Sequence, residues 1–168
     1  APDFPAEFVL VVANDPEAPG LQWAAERGIK TFALDHKTFG KDREAHERAI
    51  DAALRAEGVE FVCLAGYMRV LTPWLVSQWA GKMINIHPAL LPEFKGLHTH
   101  ERALEAGVAE HGASVHWVTP GVDEGEIIAQ ARVPVLEGDT PERLATRVLA
   151  EEHRLYPQAL RKVLSPSK

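Results

Sequence analysis

Cysteine is almost missing from this chain. Cys63 is the only one in 168 residues, so no internal disulfide can form, and its place in an apolar run leads us to expect a buried, unreactive thiol in a reducing compartment. No apolar run reaches membrane-spanning length and no signal-peptide pattern opens the sequence, so the expected location is the cytoplasm, with no membrane partner. Runs of lysine and arginine are also missing. Eighteen basic residues against 24 acidic ones give a formal net charge of −6 and a pI near 5.7, which argues against a polyanion groove and leaves no nucleic acid among the expected partners. Paired cysteines and a His-Glu-x-x-His pattern are absent too. His98-Thr99-His100, His87, His111 and His116 therefore read as hydrogen-bonding residues, and no metal is expected. Ser114 lacks a nucleophile-elbow frame and reads as a polar wall residue.

What is present suits one globular domain: 46% hydrophobic and 25% charged residues, without repeats or low complexity. Phe8 to Ala13 and Phe61 to Ala65 are continuous apolar runs, the signature of strands covered on both faces. Leu21 to Arg27 predicts a short helix, Thr31 to Leu34 a strand, and Lys41 to Glu57 an amphipathic helix stopped by Gly58. Thr72-Pro73 supplies a cap and a first-turn proline for a helix through Trp79, ahead of a strand from Met83 to Ile86. This rhythm predicts an α/β fold with a Rossmann-like, doubly wound, mostly parallel sheet, whose ligands sit beyond the strand carboxyl ends. After a loop from Leu90 to Thr99 and a helix from Glu101 to Ala106, Ala113 to Val118 and Ile127 to Val135 predict an antiparallel C-terminal hairpin closed near Asp123. Thr140-Pro141-Glu142 starts a closing helix, which Pro157 is expected to kink or interrupt before Leu164.

The chemistry concentrates in Asn85-Ile86-His87-Pro88. Side chains alternate along a strand, so Asn85 and His87 share a face, and Pro88 pushes His87 towards extended backbone. Ser114 and His116 share a face of a later strand by the same rule. Asp123 lies in a turn from which a carboxylate can reach a crevice; beside His87 it would favour the imidazolium.

The segments Leu64-Ala65-Gly66-Tyr67-Met68-Arg69-Val70-Leu71, Ile84 to Pro92, Gly96-Leu97-His98-Thr99-His100, His111-Gly112-Ala113-Ser114-Val115-His116 and Val122-Asp123-Glu124-Gly125 resemble the folate-dependent phosphoribosylglycinamide formyltransferase family of purine synthesis. Asn-x-His-Pro and the later aspartate are shared with the wider formyltransferase group, and the two histidine-rich segments carry the finer likeness. The resemblance implies transfer of a formyl group from 10-formyltetrahydrofolate, as cosubstrate, to the amine of glycinamide ribonucleotide, by a monomer or homodimer and without metal. It implies a tetrahedral intermediate stabilised by Asn85 and protonated His87, with Asp123 tuning the histidine. It places the folate against Arg43, Met68, Arg69, Val70, Leu71, Asn85, Thr119, Pro120, Gly121, Val122 and Asp123, and the ribonucleotide against Leu149, Ala150, Glu151 and Glu152. Formyltetrahydrofolate hydrolysis and non-catalytic folate binding are the alternatives. The family pattern opens with a further strand, a glycine-rich phosphate loop and a helix, and nothing of that kind precedes Phe8. Residues 1–168 are accordingly expected to form a single formyltransferase domain lacking that start, with about 30 residues belonging upstream.

Overall fold

A computed structural model describes residues 6–13, 17–33, 42–65, 71–120 and 123–164. The chain divides into two compact units, Ala1–Val62 with Val70–Lys82, and Cys63–Arg69 with Met83–Lys168.

In the first unit, strands β1 (Leu10–Ala13) and β2 (Lys30–Ala33) run parallel, Leu10 opposite Lys30 and Ala13 opposite Ala33. Parallel neighbours need a crossover, and helix α1 (Pro19–Glu26) supplies it. The expectation of a strand covered on both faces fails here. β1 is half-buried, Phe8 before it is 55% exposed, and its strand neighbour among the described residues is β2 alone.

Helix α2 (Arg43–Ala56) begins where Asp42 accepts a hydrogen bond from the Ala45 N–H at 2.9 Å, and ends before Gly58, whose φ of +69° suits a residue without Cβ. Its inner face buries Ile50 and Leu54 alongside His46, Glu47 and Asp51. Buried carboxylates need partners. Glu47 accepts from the Thr72 N–H at 3.0 Å and from the Thr72 hydroxyl, and Asp51 accepts from Trp79 Nε1 at 2.8 Å. Thr72 thus stands at the start of helix α3 (Pro73–Gln78), as expected, but its hydroxyl serves Glu47 instead of capping its own helix.

The second unit holds a four-stranded sheet in the order β3 (Val62–Ala65), β4 (Met83–His87), β5 (Glu110–Trp117), β6 (Ile127–Pro134). β3 alternates between half-buried and exposed positions. Cys63 falls on an exposed one, which corrects the expectation of a buried thiol. Desolvation by neighbouring atoms still pushes the thiol up to about 11 against a hydrogen bond with Tyr156, so it stays protonated at neutral pH and unreactive. β4 and β5 are antiparallel, and β5 and β6 form the expected antiparallel hairpin with an irregularity at Val115/His116. Gly112 allows the strands to close up, since a Cβ there would stand 1.9 Å from the Ala131 carbonyl oxygen.

Helix α4 (Thr99–Ala106) precedes β5, and helix α5 (Pro141–Leu164) packs on β5 and β6. Tyr156 ties α5 to the sheet by sharing its one hydroxyl proton between the carbonyls of Leu64 and Ile84, at 2.6 and 3.2 Å. Pro157 does not interrupt α5. Leu144, Val148, Leu155 and Leu160 are buried on both sides of it, and at about 1.5–3 kcal/mol per buried side chain they outweigh the ~3 kcal/mol cost of an interior proline.

The β6–α5 connection depends on Asp139, which accepts from the Leu136 N–H at 2.7 Å and from both terminal nitrogens of Arg147 at 2.7 and 2.9 Å. The Arg147 hydrogen bonds hold the Asp139 carboxyl down at about 2. A carboxyl depressed by folding stabilises the fold above its ordinary range and loses that contribution as pH falls through the depressed value. Asp139→Asn should therefore lower the thermal midpoint at pH 7, with the gap to the parent closing as the buffer approaches pH 2. Equal midpoints at pH 7 would show that the bidentate pair contributes nothing.

Candidate active site

The register of β4 on β5 assembles the site. Asn85 lies opposite His116 and His87 opposite Ser114, and directly opposed residues project to the same face of a sheet. The two polar pairs expected separately from alternation therefore share one face. His87, Ser114 and His116 are buried and Asn85 half-buried.

Asp123 enters from the connection between β5 and β6. Gly125 brings that turn against the end of β5, where a Cβ would stand 1.6 Å from the Trp117 carbonyl oxygen, and the Glu126 backbone carbonyl accepts from the Trp117 N–H at 3.0 Å. Asp123 itself takes a left-handed backbone conformation, φ +53°, which aspartate tolerates better than most residues. Its carboxylate, 10% exposed, places Oδ2 3.4 Å from His87 Nδ1 and Oδ1 3.6 Å from His116 Nε2. The Gly96 N–H donates to Oδ2 at 2.9 Å. Burial alone would raise this carboxyl, but the hydrogen bonds from His116 and Gly96, together with the charges of His87 and His116, hold it below its usual value.

The other nitrogen of His87, Nε2, lies 2.8 Å from the Phe94 carbonyl oxygen. A carbonyl can only accept, so Nε2 carries a proton. With Nδ1 facing a carboxylate, the doubly protonated ring satisfies both contacts, whereas a bare Nδ1 would oppose its lone pair to an anion. His116 Nδ1 donates to the Trp117 carbonyl at 2.9 Å, and its Nε2 stands 3.4 Å from Asn85 Nδ2. Asn85 and Asp123 thus both abut one imidazole. Two further histidines lie behind. His111 is 1% exposed, with His100 Nδ1 3.2 Å from its Nε2. Burial pushes His111 down to about 4, aided by repulsion between its ring and those of His100 and His87. His100 is lowered by burial too, against an opposing pull from Glu101. Both shifts favour the neutral ring.

Ser114 anchors the loop that follows His87. Its hydroxyl donates to the Ala89 carbonyl at 2.7 Å and accepts from the Leu91 N–H at 3.0 Å and from Gln130 Nε2 at 2.9 Å. Among the described residues, no group of three or more His, Cys, Asp or Glu could hold a metal ion.

The structure brings Asn85, His87 and Asp123 together in the second unit, where Thr119 and Pro120 also lie, exposed, before the Asp123 turn. Leu149 and Ala150 are exposed on α5, with Glu151 and Glu152 half-buried. Desolvation raises the Glu152 carboxyl, opposed by His153. Arg43, exposed, and Leu71, half-buried, belong to the first unit. Met68, Arg69, Val70, Gly121 and Val122 lie outside the described residues. Sequence reasoning missed His116 as a neighbour of Asp123, and it missed the Phe94 carbonyl and Gly96 N–H. The shared face of Ser114 and His116 was the one available signal, since backbone groups leave none.

Residues 2–160 match the formyl transferase family. The chain is 46% identical over 147 residues to the phosphoribosylglycinamide formyltransferase of Escherichia coli (strain K12), spanning 88% of this chain and 69% of that protein. It is 48% identical over 155 residues to the trifunctional purine biosynthetic protein adenosine-3 of Drosophila pseudoobscura pseudoobscura, covering 92% of this chain but only 11% of that relative. A crystal structure of phosphoribosylglycinamide formyltransferase from Brucella melitensis superposes with a TM-score of 0.92 at 52% identity, over all of this chain and 86% of that one. At that identity the likeness shows the expected Rossmann-like α/β fold, with parallel and antiparallel strands.

Removing the Ser114 hydroxyl should loosen the backbone after His87. Ser114→Ala leaves the Leu91 N–H and one Gln130 proton short of a partner in a buried setting, which should cost about 1–3 kcal/mol in urea unfolding. A change below ~0.5 kcal/mol, within the range of an ordinary surface substitution, would show that the loop holds without it.

Proposed function

This chain belongs to the formyl transferase family, and from that premise we propose that it transfers a formyl group from 10-formyltetrahydrofolate to the primary amine of glycinamide ribonucleotide. The observation that carries the reading is His87 held between the Asp123 carboxylate and the Phe94 carbonyl on the same face as Asn85. Attack of an amine on a formyl carbon leaves negative charge on oxygen and a surplus proton on nitrogen. Asn85 supplies an amide donor for that oxygen, and His87 supplies positive charge and a transferable proton; collapse then breaks the bond from the formyl carbon to the folate nitrogen, which takes up a proton and leaves as tetrahydrofolate, while the attacking nitrogen gives up its surplus proton. Asp123 stays anionic throughout the neutral range, so it orients the ring and favours its charged form. On the strength of the resemblance, donor binding is assigned to Arg43, Met68, Arg69, Val70, Leu71, Asn85 and residues 119–123, and acceptor binding to Leu149, Ala150, Glu151 and Glu152.

The test is an assay of the purified chain with the formyl donor, with and without glycinamide ribonucleotide. Deformylation that depends on the ribonucleotide and yields a formylated product supports the reading. Release of formate without it would indicate hydrolysis, and binding without turnover a non-catalytic protein; either defeats the proposal. His87→Ala should lower kcat by roughly 10²–10⁴-fold, the usual contribution of general acid–base catalysis, with KM for both substrates little changed, because charge develops on the oxygen only in the transition state. Equal losses in kcat/KM and binding would instead make His87 a binding residue. Transfer should also survive a chelator. Activity abolished by the chelator and restored by zinc would reverse the expectation that no metal takes part.

A further inference from the structure

We propose that Arg102 is a positioning residue for this transfer, holding the 94–97 loop so that it grips His87 and Asp123 together. The proposal rests on the reaction assigned above for its kinetic consequence and on geometry alone for the contact. Two backbone groups of the loop reach the pair: the Phe94 carbonyl, 2.8 Å from His87 Nε2, and the Gly96 N–H, 2.9 Å from Asp123 Oδ2. Phe94, which opens this loop, and His98, which follows it, both take positive φ, 52° and 56°, a conformation that side-chain-bearing residues keep only when neighbouring structure holds it.

Arg102, on α4, does the holding. Its Nη2 donates to the Lys95 carbonyl at 2.6 Å, its Nε to the Leu97 carbonyl at 3.0 Å, and its guanidinium carbon lies 5.7 Å from the centre of the Phe94 ring. One planar fork therefore fastens the carbonyls of the two residues that flank Gly96 and lies over the residue whose carbonyl meets His87. An ammonium on a flexible stem cannot reproduce two divergent N–H bonds from a single plane. The remaining ties are slighter: the exposed Lys95–Glu124 pair is 3.7 Å apart, and the His111 ring meets Phe94 edge-on at 6.0 Å. Arg102 bonds to the carbonyls of Lys95 and Leu97, so its influence on the pair passes through the backbone at positions 94 and 96.

The experiment compares the full chain with Arg102→Met, which keeps an apolar stem and no donors, and Arg102→Lys, which keeps the charge and loses the fork. Both should lower kcat by ~10–100-fold, the scale on which a misplaced group slows a reaction, while KM for the ribonucleotide and the folate stays within about two-fold and the thermal midpoint stays near the parent's. Nitrogen NMR of histidine-labelled protein, with the His87 signals identified by their loss in His87→Gln, should show the Nε2 resonance displaced in both variants. A parental kcat in either variant, an unmoved His87 resonance, or a rate loss that merely follows the unfolded fraction overturns the proposal. If the parent protein transfers no formyl group, the assigned reaction fails, and the His87 resonance still decides whether Arg102 sets that contact.

Discussion

The antiparallel pairing of β4 with β5 is the constraint on which the site depends. Opposing Asn85 to His116 and His87 to Ser114 places four polar side chains on one face of a sheet whose interleaved residues, Ile84, Ile86, Ala113 and Val115, are buried. A slip of one residue would turn the histidines out of the cluster and drive apolar side chains in among the polar ones. Register therefore specifies core and site at once. Tyr156, reaching β3 and β4 from α5, and Gly112, closing β5 onto β6, fasten that register from its flanks.

Charge in the cluster is organised around a single anion. Asp123 faces two imidazoles and a peptide N–H, and its carboxyl is depressed despite burial. His100 and His111, buried behind, are pushed the other way, towards neutrality. The effect is a division among similar side chains. His87 and His116 each meet oxygen at both ring nitrogens and share the Asp123 carboxylate, whereas His100 and His111 face each other. A titratable pair whose surroundings favour opposite charges is the usual arrangement for proton transfer near neutral pH.

Local pattern and tertiary context part company at several positions. The apolar run before Ala13 suggests a covered strand, yet β1 is half-buried and Phe8 exposed, because hydrophobicity states what a segment can bury and not what is placed over it. Pro157 suggests a kink or a break, and α5 runs through it without a break, because buried leucines on either side outweigh a local penalty. Thr72 marks a helix start correctly, but a buried carboxylate on another helix takes its hydroxyl. In each case a short-range preference is real and a longer-range contact outranks it.

Local rules in the sequence by itself determined the alternation of strands and helices, the hairpin ahead of the closing helix, the common face of Asn85 and His87, and the turn that carries Asp123. Two-residue side-chain periodicity and turn chemistry act over a few positions and are legible there. The family likeness was legible too, in the order and spacing of its motifs. Only the tertiary structure decided that His116 meets the same carboxylate as His87, that Arg102 fastens the loop between them, and that the carbonyl of Phe94 and the N–H of Gly96 complete the pair's contacts. Strand register and loop path join residues far apart in the chain, and every residue but proline carries the same backbone N–H and carbonyl, so no choice of amino acid announces which of them will be used.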